Sequence, residues 1–304
     1  MPRLGDAGPP QPRREPTPPV GGPRPNAGPD VTVSSPEFPC PWPTPQPQLP
    51  RVIPCLLLSG QGLVKTARFR RPTYLGDPIN IVRIFNEKEV DELLLLDIRA
   101  TPEGRPPAFD LIRQVAEECF APVGYGGGIR TLDDIRRVLA IGIEKVVLNT
   151  HAVANPSLVE EAAGRFGSQS VVVSLDAKKT WFGGQRIVTR GGRHLTAHSP
   201  VRLAREMEQR GAGEILLNSV DRDGTGKGYD TSLIGAVARA ISIPLVACGG
   251  AGRTEDFAAA IEAGAHGVAA GSVFVFSGPN RAVLVTYPTA CELRRVFRRQ
   301  DRRS

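Results

Sequence analysis

Glu92-Leu93-Leu94-Leu95-Leu96-Asp97-Ile98-Arg99-Ala100-Thr101 is echoed by Glu214-Ile215-Leu216-Leu217-Asn218-Ser219-Val220-Asp221-Arg222-Asp223-Gly224-Thr225, at an offset of 122 residues counted from Glu92 to Glu214. The same offset carries Gly127-Gly128 onto Gly249-Gly250, Gly142 onto Gly264 and Asn149-Thr150 onto Gly271-Ser272. Similarity at a fixed spacing marks a duplicated supersecondary unit, so the chain reads as two half-domains of about equal length. Upstream, Val52-Ile53-Pro54-Cys55-Leu56-Leu57 aligns with Val171-Val172-Val173-Ser174-Leu175-Asp176, at an offset of 119 counted from Leu57 to Asp176. A carboxylate in the second half therefore faces a leucine in the first.

From residue 51 onward, short apolar runs alternate with longer amphipathic stretches. Candidate strands cover 52–58, 93–96, 123–125, 145–148, 171–175, 215–218, 245–248 and 267–270. Helix starts stand between them at Asp77-Pro78, Thr131-Leu132-Asp133-Asp134, Asn155-Pro156 and Thr254-Glu255-Asp256, each offering an N-cap side chain or a first-turn proline. Near-continuous apolar strands alternating with helices imply a buried parallel sheet. Eight such units, four in each half, close most economically into an α/β (β/α)8 TIM barrel; an open doubly wound sheet is the alternative. The barrel is expected over residues 50–290, between a disordered Pro/Gly/Arg-rich leader over 1–49 and a basic tail over 291–304.

Within 304 residues, 40% hydrophobic content is enough for a core of this size. The five cysteines are scattered, without a CxxC pair or a Cys/His cluster at metal-ligand spacing, so they read as reduced thiols of a cytoplasmic protein that needs no metal or other cofactor. No apolar run approaches the roughly 18 residues that span a bilayer, so no membrane partner is expected. The net charge of +7 is concentrated at the ends, as at Arg294-Arg295 and Arg298-Arg299. That favours solvated tails and phosphorylated small molecules over nucleic acid.

In barrels of this kind, reactive groups sit at the C-terminal ends of strands and in the loops that follow. Gly126-Gly127-Gly128 and Gly249-Gly250-Ala251-Gly252 occupy matched positions there, and each is followed one strand later by a small pair, Asn149-Thr150 or Gly271-Ser272. Glycines that merely make tight turns are the bland reading; duplication at matched positions favours two phosphate cradles, one for each end of a bisphosphorylated ligand. Asp176 ends the fifth strand, where a carboxylate facing anything but the mouth would be costly, and it is the candidate general acid or base. Asp97, Asp221 and Asp223 also end strands, and Asp97 equally fits a bracing role. Lys65, in the loop after the first strand, either neutralises an anionic ligand or is a solvated loop lysine. At the opposite end, Arg51, Glu92, Lys145 and Glu214 stand just before strands: surface charges, or a salt-bridged ring closing the floor. The four histidines show no pairing with a nucleophile and take no role, and residues 178–198 read as a hairpin over the mouth.

These residues resemble the cyclase subunit of imidazole glycerol phosphate synthase, from Arg51 to about Phe276. Its motifs include Arg-Val-Ile-Pro-Cys-Leu, Gly-Gly-Gly-Ile, Asp-Ala-Lys, Gly-Ala-Gly-Glu-Ile-Leu-Leu and Asp-Arg-Asp-Gly-Thr. The resemblance implies a glutaminase partner on the barrel floor, ammonia passing through the barrel, and cyclisation of a bisphosphorylated ribotide. It also implies that Gly128, Asn149 and Thr150 hold one phosphate while Asp223, Gly224, Gly250, Gly271 and Ser272 hold the other, that Lys65 contacts substrate, and that Arg51, Glu92, Lys145 and Glu214 are the ammonia gate. Asp176 is then one of two catalytic aspartates, and the other falls at Leu57. Loss of a positioned proton-transfer group typically costs about 10²–10⁴-fold.

That combination, with Leu56-Leu57-Leu58, Leu63-Val64-Lys65-Thr66 and the stretch from Gly278 to Pro288, is similar to the branch of the family associated with amidination of surface sugars, whose members work with a glutaminase and a sugar amidotransferase. A genuine cyclase of histidine biosynthesis, a ligand-binding pseudoenzyme scaffold for the glutaminase, and an aldose–ketose isomerase of the related half-barrel family are the other readings; the isomerase too would want two aspartates.

Overall fold

A computed structural model of the chain describes residues 49–181, 183–278 and 282–298. The leader expected over 1–49 lies outside them except for Leu49, as does the end of the chain from 299. The strands of the main sheet are β1 (Arg51–Ser59), β2 (Gly62–Ala67), β3 (Arg70–Gly76), β4 (Leu93–Asp97), β5 (Val123–Gly126), β6 (Lys145–Leu148), β7 (Val171–Lys179), β8 (Gln185–Thr189), β9 (His194–Leu195), β10 (Glu214–Ser219), β11 (Leu245–Cys248) and β12 (Gly267–Ala270), and a separate short pair joins Phe276–Ser277 to Ala282–Val283. The helices are α1 (Pro78–Glu87), α2 (Phe109–Glu118), α3 (Leu132–Ala140), α4 (Thr150–Ala154), α5 (Ser157–Phe166), α6 (Pro200–Gln209), α7 (Thr231–Ala238), α8 (Glu255–Glu262), α9 (Ser272–Val275) and α10 (Ala290–Arg298).

Parallel pairing runs β1, β4, β5, β6, β7, β10, β11, β12 and returns to β1, which closes a (β/α)8 barrel. Alternation along each strand decides what faces where, because successive side chains leave a strand on opposite sides. On β1, Ile53, Cys55 and Leu57 join the apolar cluster inside the barrel, while Val52, Leu56 and Leu58 pack outward under the helices. On β7, Val172 points in and Val171, Val173 and Leu175 point out. Both faces of these strands are buried, which is why they read as unbroken apolar runs. Two of the four expected helix starts form side-chain caps: Asp77 accepts the Ile79 and Asn80 N–H groups, and Thr131 with Asp134 makes a reciprocal capping box, whereas α5 and α8 follow Pro156 and Thr254 without a side-chain cap bond.

Two parts of the chain depart from the sequence reading. Lys65 lies on β2, not in a loop, because Ser59 and Gly62 pair across a two-residue turn and set Val64 and Leu63 against Leu57 and Leu58 of β1. The stretch expected as a basic tail from 291 is helical through Arg298 and supplies the barrel's eighth outer helix. Leu293 and Phe297 share one face at i, i+4 spacing and are buried, whereas the arginines that suggest a tail sit on the other face. The hairpin expected over 178–198 forms as antiparallel β7, β8 and β9.

Candidate functional site

The C-terminal ends of the barrel strands surround a cavity of about 400 Å³. Lys65, Gly128, Asn149, Thr150, Asp176, Asp223, Gly224, Gly250, Gly271 and Ser272 all line it, and so does Leu57. The first half contributes Gly128 and the Asn149–Thr150 pair at the start of α4; Thr150 Oγ1 donates to Asn149 Oδ1 at 3.2 Å and accepts the Arg190 N–H at 3.0 Å. The second half contributes the turn after β10 and the Gly271–Ser272 pair at the start of α9, where Ser272 Oγ is buried without a hydrogen-bond partner among the described residues. Gly224 is fixed by geometry: its φ is +67°, and a Cβ there would overlap the Thr66 carbonyl oxygen.

Asp176 sits between two amides. Asn149 Nδ2 donates to its Oδ2 at 3.3 Å, Asn218 Nδ2 donates to its Oδ1 at 3.3 Å, and Ser174 Oγ lies 3.5 Å from Oδ1. Burial pushes its carboxyl up to about 7, with the Asp223 charge adding to the rise and the hydrogen bonds from Asn218 and Ser174 opposing it. A carboxyl in that range exchanges protons near neutral pH. Leu57 is its counterpart in the other half: it pairs with Leu96 on β4, just as Asp176 pairs with Asn218 on β10. The mouth is therefore one-sided, with Leu57 and Leu96 forming an apolar wall and Asp176, Asn218 and Asn149 a polar one. The buried Lys65 and Asp223, which also line the cavity, pair with each other at 2.9 Å.

Lys65 is only 7% exposed and Thr66 Oγ1 also reaches Asp223, at 3.3 Å. As a carboxylate accepts but does not donate, Asp223 anchors Lys65, and a phosphate here would meet the lysine and backbone N–H groups. Asp97 takes the bracing role, accepting the Arg99 and Ala100 N–H groups at 2.9 Å each. Asp221 accepts the Lys179 N–H at 2.7 Å and steadies the β7–β8 hairpin.

At the other end of the barrel, Arg51, Glu92, Lys145 and Glu214 come together in a closed ring. Arg51 reaches Glu92 at 2.6 Å and Glu214 at 2.7 Å; Lys145 reaches the same two carboxylates at 2.9 Å each. Just above them lies a space of about 10 Å³, lined by Ile53, Leu94, Val172, Leu216 and Val246 together with the two glutamates.

Sequence reasoning passed over Asn218, Ser174 and His151. The first was legible in principle, since the offset that sets Leu57 against Asp176 is close to the one that sets Leu96 against Asn218. His151 lines the cavity, and burial lowers its pKa. Among the described residues, no cluster of three or more His, Cys, Asp or Glu side chains could hold a metal, and no helix is long and apolar enough to cross a membrane.

Residues 51–279 match the histidine biosynthesis protein family. The chain is 50% identical over 244 residues to a Pseudomonas aeruginosa protein provisionally named imidazole glycerol phosphate synthase subunit hisF2, covering 80% of this chain and 97% of that protein. It is 44% identical over 250 residues to a Leptospira borgpetersenii protein provisionally named as the HisF subunit of the same synthase, covering 82% and 98%. With the Streptomyces griseus imidazole glycerol phosphate synthase subunit HisF it shares 46% identity over 226 residues, covering 74% and 90%. The duplicated barrel and these matches together mean that the chain belongs to the histidine biosynthesis protein family, as a barrel of the imidazole glycerol phosphate synthase cyclase-subunit type.

Proposed function

We propose that this barrel receives ammonia from a glutaminase docked on its floor and conducts it to a mouth that holds a bisphosphorylated ligand, as a paralogue serving amidination of surface sugars in the cytoplasm. In this reading Arg51, Glu92, Lys145 and Glu214 are the gate. The apolar interior above them suits neutral ammonia, and a space of about 10 Å³ is at the lower edge of what one water-sized molecule needs. Gly128, Asn149 and Thr150 hold one phosphate; Lys65, Gly224, Gly250, Gly271 and Ser272 hold the other, with Asp223 steadying Lys65. A sugar amidotransferase downstream consumes the nitrogen.

The observation that carries the reading is the inward-facing Leu57 paired with Leu96 opposite Asp176. Closing an imidazole ring needs protons moved on two sides of the forming bond, and this mouth retains a single positioned carboxyl with a pKa near neutrality. Cyclisation should therefore run about 10²–10⁴-fold below that of a two-aspartate barrel. The test is ring closure of the bisphosphorylated ribotide with ammonia supplied in solution. Turnover recovered only in Leu57→Asp supports the reading; near-normal turnover in the unmodified chain defeats it. That second result would favour a genuine cyclase of histidine biosynthesis, a reading supported by the 46% identity to the Streptomyces griseus subunit.

A further inference from the structure

Two hairpins leave the barrel at the mouth from strands that the internal repeat makes equivalent. The first, β2–β3, grows from β1; the second, β8–β9, grows from β7. The first carries Lys65 across to the second-half cradle, where its Cε and Cδ lie against Gly271. The second bends over the first-half cradle, where its Arg190 N–H bonds Thr150 Oγ1 at 3.0 Å. The seating is close: an added Cβ at Gly192 would come 2.9 Å from the Phe69 ring, and one at Gly191 3.3 Å from Pro102. Gly191 and Gly192 hold φ of +63° and +81°, so the tip takes this shape because glycine is there.

The tip also delivers a cation. Arg193 lines the cavity. The other lysine and arginine side chains there are engaged, Lys65 with Asp223 and Arg99 with Glu103, whereas Arg193 has no ion-pair or hydrogen-bond partner among the described residues. The hairpin segment 177–198 contains Lys178, Lys179, Arg186, Arg190 and Arg193 and no Asp or Glu, so nothing on it competes for that guanidinium. Arg193 is exposed at the rim of the cavity, and a guanidinium without a hydrogen-bond partner among the described residues suits a planar, bidentate contact with phosphate there.

We infer that Arg193 is the phosphate-binding arm of the first-half cradle, the counterpart across the barrel's pseudo-two-fold of Lys65 in the second. It rests on the two-cradle reading of the mouth and adds to it a residue that selects for charge at the ligand's first-half end. The arm is free for the ligand, since it makes no hydrogen bond or ion pair among the described residues.

The experiment titrates inorganic phosphate into the full chain and follows the backbone amide resonances of Thr150 and Ser272, one reporter for each cradle. In Arg193→Gln the half-saturation at Thr150 should rise about tenfold or more, the loss expected of one charge-assisted hydrogen bond. That at Ser272 should change by less than about twofold. Arg186→Gln removes the same charge from an exposed position on the same hairpin outside the cavity, and should leave both cradles unchanged. Arg193→Lys should recover part of the loss, and the phosphate-free spectrum of Arg193→Gln should overlay that of the unmodified chain away from the tip. Equal losses in Arg186→Gln and Arg193→Gln, or an unmoved Thr150 titration, would overturn the assignment while leaving the two-cradle reading standing. Absence of phosphate binding at both reporters in the unmodified chain would overturn both.

Discussion

At the scale of single residues, the mouth is decided by Leu57 and Asp176, equivalent positions carrying opposite chemistry. Keeping Asp176 buried has a cost with a definite sign. Its carboxyl ionises near 3.9 when unfolded but only at about 7 in the fold, so between those values the folded state binds the extra proton and stability falls as pH rises. Asp176→Asn should therefore raise the unfolding free energy at about pH 8, by roughly 1–4 kcal/mol, with the gain shrinking as pH drops toward about 4; denaturant unfolding at the two pH values reads it. The same variant should abolish whatever cyclisation the Leu57→Asp chain recovers. A gain independent of pH would mean that the carboxyl is not titrating where its burial places it. Gly224→Ala makes a second case, because its Cβ would overlap the Thr66 carbonyl and its φ of +67° disfavours any side chain. Phosphate binding reported by Ser272 should be lost there while the Thr150 report survives.

At the scale of elements, the sequence located the eight barrel strands because each is buried on both faces and reads as an apolar block. It also located helices with an explicit start signal, such as Asp77-Pro78 and Thr131 with Asp134. It missed β2, whose apolar pair Leu63-Val64 is too short to distinguish from a loop until it is seen against Leu57 and Leu58. The C-terminal helix was missed for another reason: α10 is dominated by arginine, and two buried residues in nine are a weak periodic signal against that charge. Its importance to stability follows from packing. Phe297→Ala should destabilise the chain by about 3–5 kcal/mol, measured by denaturant unfolding, although residue 297 lies beyond the stretch that matches the family. An effect below about 0.5 kcal/mol would mean that α10 does not close the barrel.

For the molecule as a whole, the barrel separates a floor closed by a ring of four charges from an open mouth. Phe120, in the loop between α2 and β5, is 87% exposed on the floor side, the face at which the four-charge ring lies. An exposed aromatic on the face proposed to dock the glutaminase is the kind of anchor that dominates protein interfaces. Phe120→Asp should weaken association with the glutaminase by at least about tenfold in an affinity titration, with the fold and phosphate binding untouched. Undiminished affinity would put the docking face elsewhere. What the sequence determined by itself was the architecture and the inventory: a fixed-offset repeat specifies two equivalent halves, and apolar period specifies which positions face inward, both being properties of the chain order alone. Tertiary structure decided which residues meet. The ring of Arg51, Glu92, Lys145 and Glu214 joins positions up to 163 residues apart. Likewise the Lys65–Asp223 pair, the amides flanking Asp176 and the reach of Arg193 depend on barrel closure and on hairpins whose course is fixed by contacts distant in the chain, and no local pattern records these.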